Sequence, residues 1–280
     1  MNHRLIVLKK SFIMAKNLFK DKLCWISGAS SGIGEALAIE LSKQGAKLVL
    51  SSSRPEKLER VANECLNHTD YCKMLAFDLS QPAEVEKSAK EFLHLYGTPF
   101  LLIHNGGISQ RSMISETSME LHRKIMEIDF FSYVAITKIV LPKMIEAKEG
   151  YIAATSSISG KFGFPMRSAY ASAKHAIQGF FETLRIEMSE HNISVTVAYP
   201  GRVRTNISFN ALKADGTPHG VLDPGQAGGI SSEKCAKKYI KAISKKRAEV
   251  LIGGKELLMV HIKRFFPCLF FRIVKKIKPT

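Results

Sequence analysis

The chain has few cysteines and no pattern among them. Cys24, Cys65, Cys72, Cys235 and Cys268 are five, an odd number, with no Cys-x-x-Cys pair. That argues against a disulfide framework and a structural zinc site, and no metal is expected. Nine histidines are similarly dispersed, and His104, at a strand end, reads as packed or solvated. A reducing compartment, the cytoplasm, fits this usage. Long apolar runs are also missing from the start. Within the basic stretch Met1–Lys20, Leu5–Leu8 is a short apolar run. It is too short for a membrane span and a poor signal peptide. Met14 leads straight towards the first strand, so residues 1–13 read as an upstream extension without structure. Acidic residues are scarce against basic ones: 25 Asp and Glu face 41 Lys and Arg, a net charge of +16. That balance suits solubility, an anionic surface or nucleic acid. No nucleic-acid recognition motif is present, so that partner is not expected.

What is there supports one ordinary domain. A length of 280 residues and an apolar share of 45% are enough for a real core. Short apolar runs alternate with helical patterns, which predicts an α/β fold: a doubly wound parallel sheet of about seven strands with helices on both faces. The strand candidates are Leu23–Ser27, Lys47–Ser52, Cys72–Phe77, Phe100–His104, Gly150–Thr155, Ser194–Ala198 and Glu249–Ile252. Thr117-Ser-Met-Glu120 reads as a capping box before a long helix ending near Pro142 to Ala147. The expected division is an extension over 1–20, a catalytic domain over 21–254 and a basic aromatic tail over 255–280.

Gly28-Ala-Ser-Ser-Gly32-Ile-Gly34 directly follows the first strand candidate and opens a helix. Strand, glycine turn and helix form the context of a dinucleotide site. Gly28 allows the tight turn, Gly32 a close backbone approach to a pyrophosphate, and Gly34 packing of helix on strand. Ser30, Ser31 and Ile33 lie in the same turn. Free N–H groups at the helix start favour phosphate there. The second strand ends in serines, Ser51 to Ser53, and Arg54 follows, where an NAD site usually carries Asp or Glu. A guanidinium suits a 2′-phosphate. NADP(H) is therefore expected over NAD(H), although Arg54 also reads as a solvated residue starting the next helix.

Tyr170 and Lys174 stand four apart in a helical segment, so they share one face. A free tyrosine titrates near ~10, and a nearby cation favours its phenolate. The pair is a plausible proton-transfer device.

With Ser157 added, the spacing Gly-x-x-x-Gly-x-Gly and Tyr-x-x-x-Lys resembles the short-chain dehydrogenase/reductase family, over roughly Asp21 to Ile252. Asp78-Leu79, Asn105-Gly106-Gly107 and Tyr199-Pro-Gly-Arg-Val-Arg-Thr205 follow in the family's order. The resemblance implies a Rossmann fold and reversible hydride transfer between a nicotinamide and a carbonyl or secondary alcohol. It implies that Tyr170 is the general acid/base, that Ser157 orients the reacting oxygen, and that Lys174 binds the ribose and depresses the tyrosine pKa. Asp78, Asn105, Gly106, Pro200, Gly201, Val203 and Thr205 are implied to touch the cofactor. One position departs from the pattern. Asp129 stands where the family has an asparagine that supports a water chain to the lysine, and no asparagine lies between Asn105 and Asn192. An aspartate there can pair with Lys174 or be protonated itself.

Asn-Gly-Gly-Ile-Ser-Gln-Arg-Ser and Lys-His-Ala-Ile-Gln-Gly-Phe-Phe are similar to the hydroxysteroid-dehydrogenase-like and dehydrogenase/reductase-member-seven-like subgroup. That similarity implies a lipophilic small-molecule substrate. A lid is expected over 205–230, with Phe162, Phe164, Met113 and Met166 making the pocket apolar. Family members commonly pair through two long helices, here about Ser118–Ala147 and Ala169–Glu190, so a homo-oligomer is implied. Two other functions stay open: a carrier-linked or CoA-linked 3-oxoacyl reductase, and a non-catalytic dinucleotide-sensing protein. From Lys255 to Lys278 aromatics interleave with cations. The segment reads as an interfacial helix on an anionic membrane surface, or as a segment packed on its own domain or in a subunit interface.

Overall fold

A computed structural model describes residues 18–276. The expected extension over residues 1–13 lies outside the described residues. Seven strands form one all-parallel sheet. They are β1 (Leu23–Ser27), β2 (Lys47–Ser51), β3 (Cys72–Met74), β4 (Leu101–His104), β5 (Gly150–Thr155), β6 (Ile193–Pro200) and β7 (Glu249–Ile252). Their order is β3-β2-β1-β4-β5-β6-β7. The chain winds outward from β1 to β3, crosses back, and winds the other way from β4. The strand order therefore reverses between β1 and β4, and a crevice opens there at the carboxyl ends, where doubly wound sheets bind ligands.

The helices are α1 (Gly32–Ser42), α2 (Pro55–Leu66), α3 (Pro82–Tyr96), α4 (Met119–Met126), α5 (Ser132–Ala147), α6 (Ser168–Glu187), α7 (Pro224–Ala227), α8 (Ser232–Ser244), α9 (Leu258–Phe265) and α10 (Pro267–Val274). Side chains alternate across a strand, so neighbours feed opposite faces of the sheet. Cys24, Ile26, Leu48 and Leu50 join one core with Leu37, Leu41 and Tyr239. Trp25 and Val49 join the other with Phe92, Tyr133, Ile136 and Phe181. Trp25 stacks on Phe92 at 4.0 Å between centroids, and its indole N–H donates to Ser51 Oγ at 2.9 Å. A large ring is thus buried without an orphaned polar atom.

Three local expectations change. β3 stops at Met74 rather than Phe77. The N–H groups of Leu75 and Phe77 still reach Leu50 and Ser52 carbonyls, but the strand is at the sheet edge and its ladder has ended. The cap of α4 is Ser118, which accepts the Leu121 N–H at 3.1 Å. Thr117 instead donates to the Met113 carbonyl at 2.7 Å, so its hydroxyl is spent on the preceding turn. The long helix is interrupted by a π-helical turn over Glu127–Phe131.

His104 takes the packed reading. It is fully buried, stacks on Tyr133 at 4.8 Å and bonds Thr137 Oγ1 at 2.9 Å. Burial lowers its pKa from the ordinary 6.5 to about 3. A depressed value means that the fold holds the ring neutral while the unfolded chain protonates it. Its stabilising contribution is whole above pH 6.5 and lost as pH falls towards 3. From pH 7 to pH 4.5 that loss is about 2–3 kcal/mol. Urea unfolding at both pH values checks it: His104→Asn should show a loss smaller by that amount, whatever its stability at pH 7. Equal losses would mean that the ring takes up a proton in the fold.

Candidate functional site

The site begins with backbone. Gly28 and Gly32 have φ of +66° and +62°, the left-handed region that disfavours a side chain. A Cβ at Gly28 would also sit 2.5 Å from the Gly106 nitrogen, so the turn passes directly against the end of β4. Asn105 ties these turns together. Its amide donates to the Gly28 carbonyl, its N–H to Ser27 Oγ, and its Oδ1 accepts from Thr155 Oγ1, each at 3.2 Å. A Cβ on Gly34 would meet the Gly28 carbonyl and Asn105 Nδ2, which is why α1 can lie so close.

One cavity of about 660 Å³ runs from this turn across the carboxyl ends of the strands. Gly28, Ser30, Ser31, Gly32, Ile33, Arg54, Asp78, Asn105 and Gly106 line it. So do Ser157, Tyr170, Lys174, Pro200, Gly201, Val203 and Thr205. Of the catalytic and cofactor residues expected from the sequence, Gly34 and Asp129 stand behind the wall. Phe162 and Phe164 line the cavity as expected; Met113 and Met166 do not, and Met113 is half exposed. Residues on both limbs of the 205–230 segment, among them Asn206, Asn210 and Gln226, reach the cavity.

At the β2 end the polar groups converge. Arg54 Nη2 donates to Ser31 Oγ at 3.2 Å, and Ser52 Oγ donates to Ser30 Oγ at 2.8 Å. A guanidinium and several hydroxyls thus face one wall, donors suited to an oxyanion.

At the other end Ser157 follows β5. Its Oγ donates to the Pro200 carbonyl at 3.4 Å and accepts the Ser159 N–H at 3.1 Å. Tyr170 and Lys174 lie one turn apart on α6, both nearly buried. Lys174 Nζ lies 5.6 Å from the Tyr170 ring centre and donates to the Thr155 carbonyl at 3.2 Å. It is also 3.1 Å from Asp129 Oδ2.

Asp129 is fully buried within the π-helical turn. Its Oδ1 accepts the Ile108 N–H at 2.8 Å, whereas Oδ2 has no aligned donor and meets Lys174 by charge. π-turns often occur at functional sites. Burial pushes the Asp129 carboxyl above its ordinary value, against the pull of Lys174. For Lys174, burial lowers the ammonium, and Asp129 with Tyr133 and Tyr170 more than restores it, so it stays above the ordinary lysine value. The Lys174 contribution to stability is therefore whole below pH 10.5 and lost as pH climbs through the raised value. Asp129 has the same sign in its own range: a raised carboxyl favours the fold in acid, and that contribution is lost as pH rises through the raised value.

A second polar cluster has no counterpart in the sequence expectations. Gln110 Oε1 accepts the N–H groups of Ala169 and Tyr170 at 2.8 and 3.3 Å, holding the first turn of α6. Next to it, buried Arg111 meets Asp223 Oδ2 at 2.5 Å, and Arg167 meets the same oxygen at 3.1 Å. Asp223 lies in the 205–230 segment, so this ion triad ties that segment to the helix that carries Tyr170. Polar residues with wide sequence separation gave no spacing signal by which to find it.

Comparison with known proteins agrees with this fold. The profile of a family described as short chain dehydrogenase matches residues 22–215. The chain is 41% identical over 267 residues to mouse dehydrogenase/reductase SDR family member 7B, covering 94% of this chain and 83% of that one. It is 36% identical over 279 residues to dehydrogenase/reductase SDR family protein 7-like of Anopheles gambiae, covering 98% and 88%. Among solved structures, a short chain dehydrogenase/reductase from Burkholderia phymatum in complex with NAD aligns with a TM-score of 0.79 at 22% identity, covering 90% and 95%. An alcohol dehydrogenase from Thermococcus sibiricus complexed with 5-hydroxy-NADP aligns with a TM-score of 0.71 at 23% identity, covering 84% and 97%. These two similarities establish the fold.

Proposed function

The chain belongs to the short-chain dehydrogenase family, and on that premise we propose that it is an NADP(H)-dependent oxidoreductase acting on a lipophilic carbonyl or secondary alcohol. The observation that carries the reading is the meeting of Ser157, Tyr170 and Lys174 with the glycine turn in one cavity. The residues present fit a dinucleotide. Gly32 leaves the turn bare, with only the Thr205 side chain 3.1 Å from where a Cβ would stand. Arg54 and Ser31 would hold the 2′-phosphate, Asp78 the adenine, and Lys174 the nicotinamide ribose.

The bound nicotinamide supplies or accepts the hydride. Tyr170 gives its phenol proton to the carbonyl oxygen in reduction and removes it from the alcohol in oxidation. Ser157 donates to the same oxygen and fixes its position. Lys174 sets a positive charge 5.6 Å from the Tyr170 ring centre, and Asp129, 3.1 Å away, keeps that charge in place. Phe162 and Phe164 give the substrate an apolar wall. The division into an extension over 1–20, a catalytic domain over 21–254 with its lid, and a tail belongs to the same reading. Pairing of two copies through α5 and α6 also belongs to it; Phe131 and Ile186, at or beside these helices, are exposed.

Titration of wild type and Arg54→Ala with NADPH and NADH, followed by nicotinamide fluorescence, tests the cofactor. Wild type should bind NADPH much more tightly than NADH. Arg54→Ala should lose about 10–100-fold for NADPH, the worth of hydrogen bonds to a charged group. Equal binding of the two, or an NADH preference, would take Arg54 out of a phosphate site and point to NAD-linked oxidation. A carbonyl screen with NADPH then tests the reaction, with an acetoacetyl thioester included to separate the acyl-reductase alternative.

A further inference from the structure

The C-terminal tail has two dissimilar faces. Its inner face belongs to the cavity wall. Glu256 and Met259 line the cavity, and Glu256 Oε1 accepts the Arg202 N–H at 2.8 Å and the Gly254 N–H at 2.9 Å. Phe270, buried, meets Phe162 edge-to-face at 5.0 Å. Met259, Val260 and Ile262 pack against the same cluster, together with Phe164. The packed reading of the tail therefore holds for this face.

The outer face is different. Leu258, Phe265 and Phe266 are 61%, 64% and 63% exposed, and Leu269 and Phe271 are about half exposed. Folding alone gives no reason to leave five large apolar side chains in water along fourteen residues. Cations stand among them. Lys263 Nζ lies 4.5 Å over the Phe271 ring, and the Arg264 guanidinium 5.7 Å from Phe265. Between Lys255 and Lys278 the sequence holds seven Lys and Arg against one Glu. Among the described residues no helix is long and apolar enough to cross a membrane. Aromatics with basic flanks, on two short helices, suit the boundary between headgroups and acyl chains, and their charge is complementary to an anionic leaflet. On the lid, Phe209, Val221 and Leu222 are also exposed, next in sequence to the cavity-lining Asn210 and Asp223.

We propose that α9 and α10 form a docking platform that seats the cavity wall on an anionic lipid leaflet, so that a lipophilic substrate reaches the cavity from the lipid. The access part rests on reading the cavity as the site of carbonyl reduction; the docking part does not. Cys268 provides a reporter, because it is exposed on α10 while the other four cysteines are buried.

The full chain is labelled at Cys268 with an environment-sensitive fluorophore and mixed with vesicles. Phosphatidylcholine with phosphatidylserine should shift the emission to the blue and carry the protein up in flotation, less so as salt rises. Phosphatidylcholine alone should do so much more weakly. Phe265→Ser/Phe266→Ser, both on the exposed face, should weaken the partition roughly tenfold or more. No shift and no flotation with either vesicle would overturn docking. A shift that grows with protein concentration without lipid would overturn it in favour of a second copy covering the patch. For access, a bilayer-partitioned ketone and a small water-soluble ketone are compared on vesicles. The double variant should lose kcat/KM about tenfold on the first and keep it on the second. Equal kcat/KM on the first would overturn access. Turnover of neither ketone by wild type, with the Cys268 shift intact, would instead sink the reductase reading and leave docking standing.

Discussion

Tyr170→Phe should lower kcat by about 10²–10⁴-fold on any carbonyl compound that the wild type reduces, the usual worth of a positioned general acid. NADPH binding should stay within a few-fold of wild type. The two effects separate because the hydroxyl is not part of the scaffold. Gln110 holds the Tyr170 backbone, and the ring packs whether or not it carries oxygen. The hydroxyl makes no hydrogen bond to another described residue, so its loss should cost the fold little. Single-turnover kinetics with preloaded NADPH, beside a cofactor titration, would make the comparison. A variant that keeps a tenth or more of wild-type kcat would remove Tyr170 from the proton-transfer role. Loss of cofactor binding in step with kcat would make it a binding residue instead.

The second large effect concerns Asp129. Asp129→Leu should destabilise the protein by about 3–5 kcal/mol, because it leaves the Lys174 ammonium buried without its partner. At roughly 2–4 °C per kcal/mol for a domain of this size, the fall in Tm is on the order of 10 °C. Asp129→Asn separates charge from shape. A carboxylate presents two negative oxygens, Oδ1 accepting the Ile108 N–H and Oδ2 facing the Lys174 charge. An amide has one accepting oxygen, so one of the two contacts must go. The expected cost is smaller, about 1.5–3 kcal/mol. Activity should fall by no more than about tenfold if Asp129 acts by positioning Lys174 rather than by moving protons. Lys174 should then lose its proton more easily, and the alkaline limb of the pH–rate profile should move to lower pH. A thousandfold fall in kcat with the fold intact would mean that the carboxylate takes part in the proton path. An unmoved alkaline limb would mean that Asp129 does not set the charge of Lys174.

What was legible in the sequence was local. The strand-turn-helix around Gly28 to Gly34 could be read because each glycine answers a backbone demand within seven residues. The pairing of Tyr170 with Lys174 could be read because helical spacing alone puts positions four apart on one face. The alternation of strands and helices determined a parallel sheet, since a parallel connection needs a crossover. Arg54 could be singled out by the missing acid after β2. Family resemblance supplied Ser157, which lies thirteen residues before Tyr170 and which no local rule could bring to it.

Only the tertiary structure decided the rest. Asp129 could have paired with Lys174 or stood protonated and apart; a π-helical turn rotates it inward to 3.1 Å from the ammonium. Gln110 proves to be the residue that holds the start of α6, and Arg111, Asp223 and Arg167 form an ion triad from three separate segments. The tail is neither wholly packed nor wholly free, because Phe270 found Phe162 while Phe265 and Phe266 found no cover. In each case the deciding contact joins residues far apart in the chain, or turns on one extra residue in a helix. Periodicity carries no record of either, since it encodes which face a residue takes and not what the fold sets opposite it.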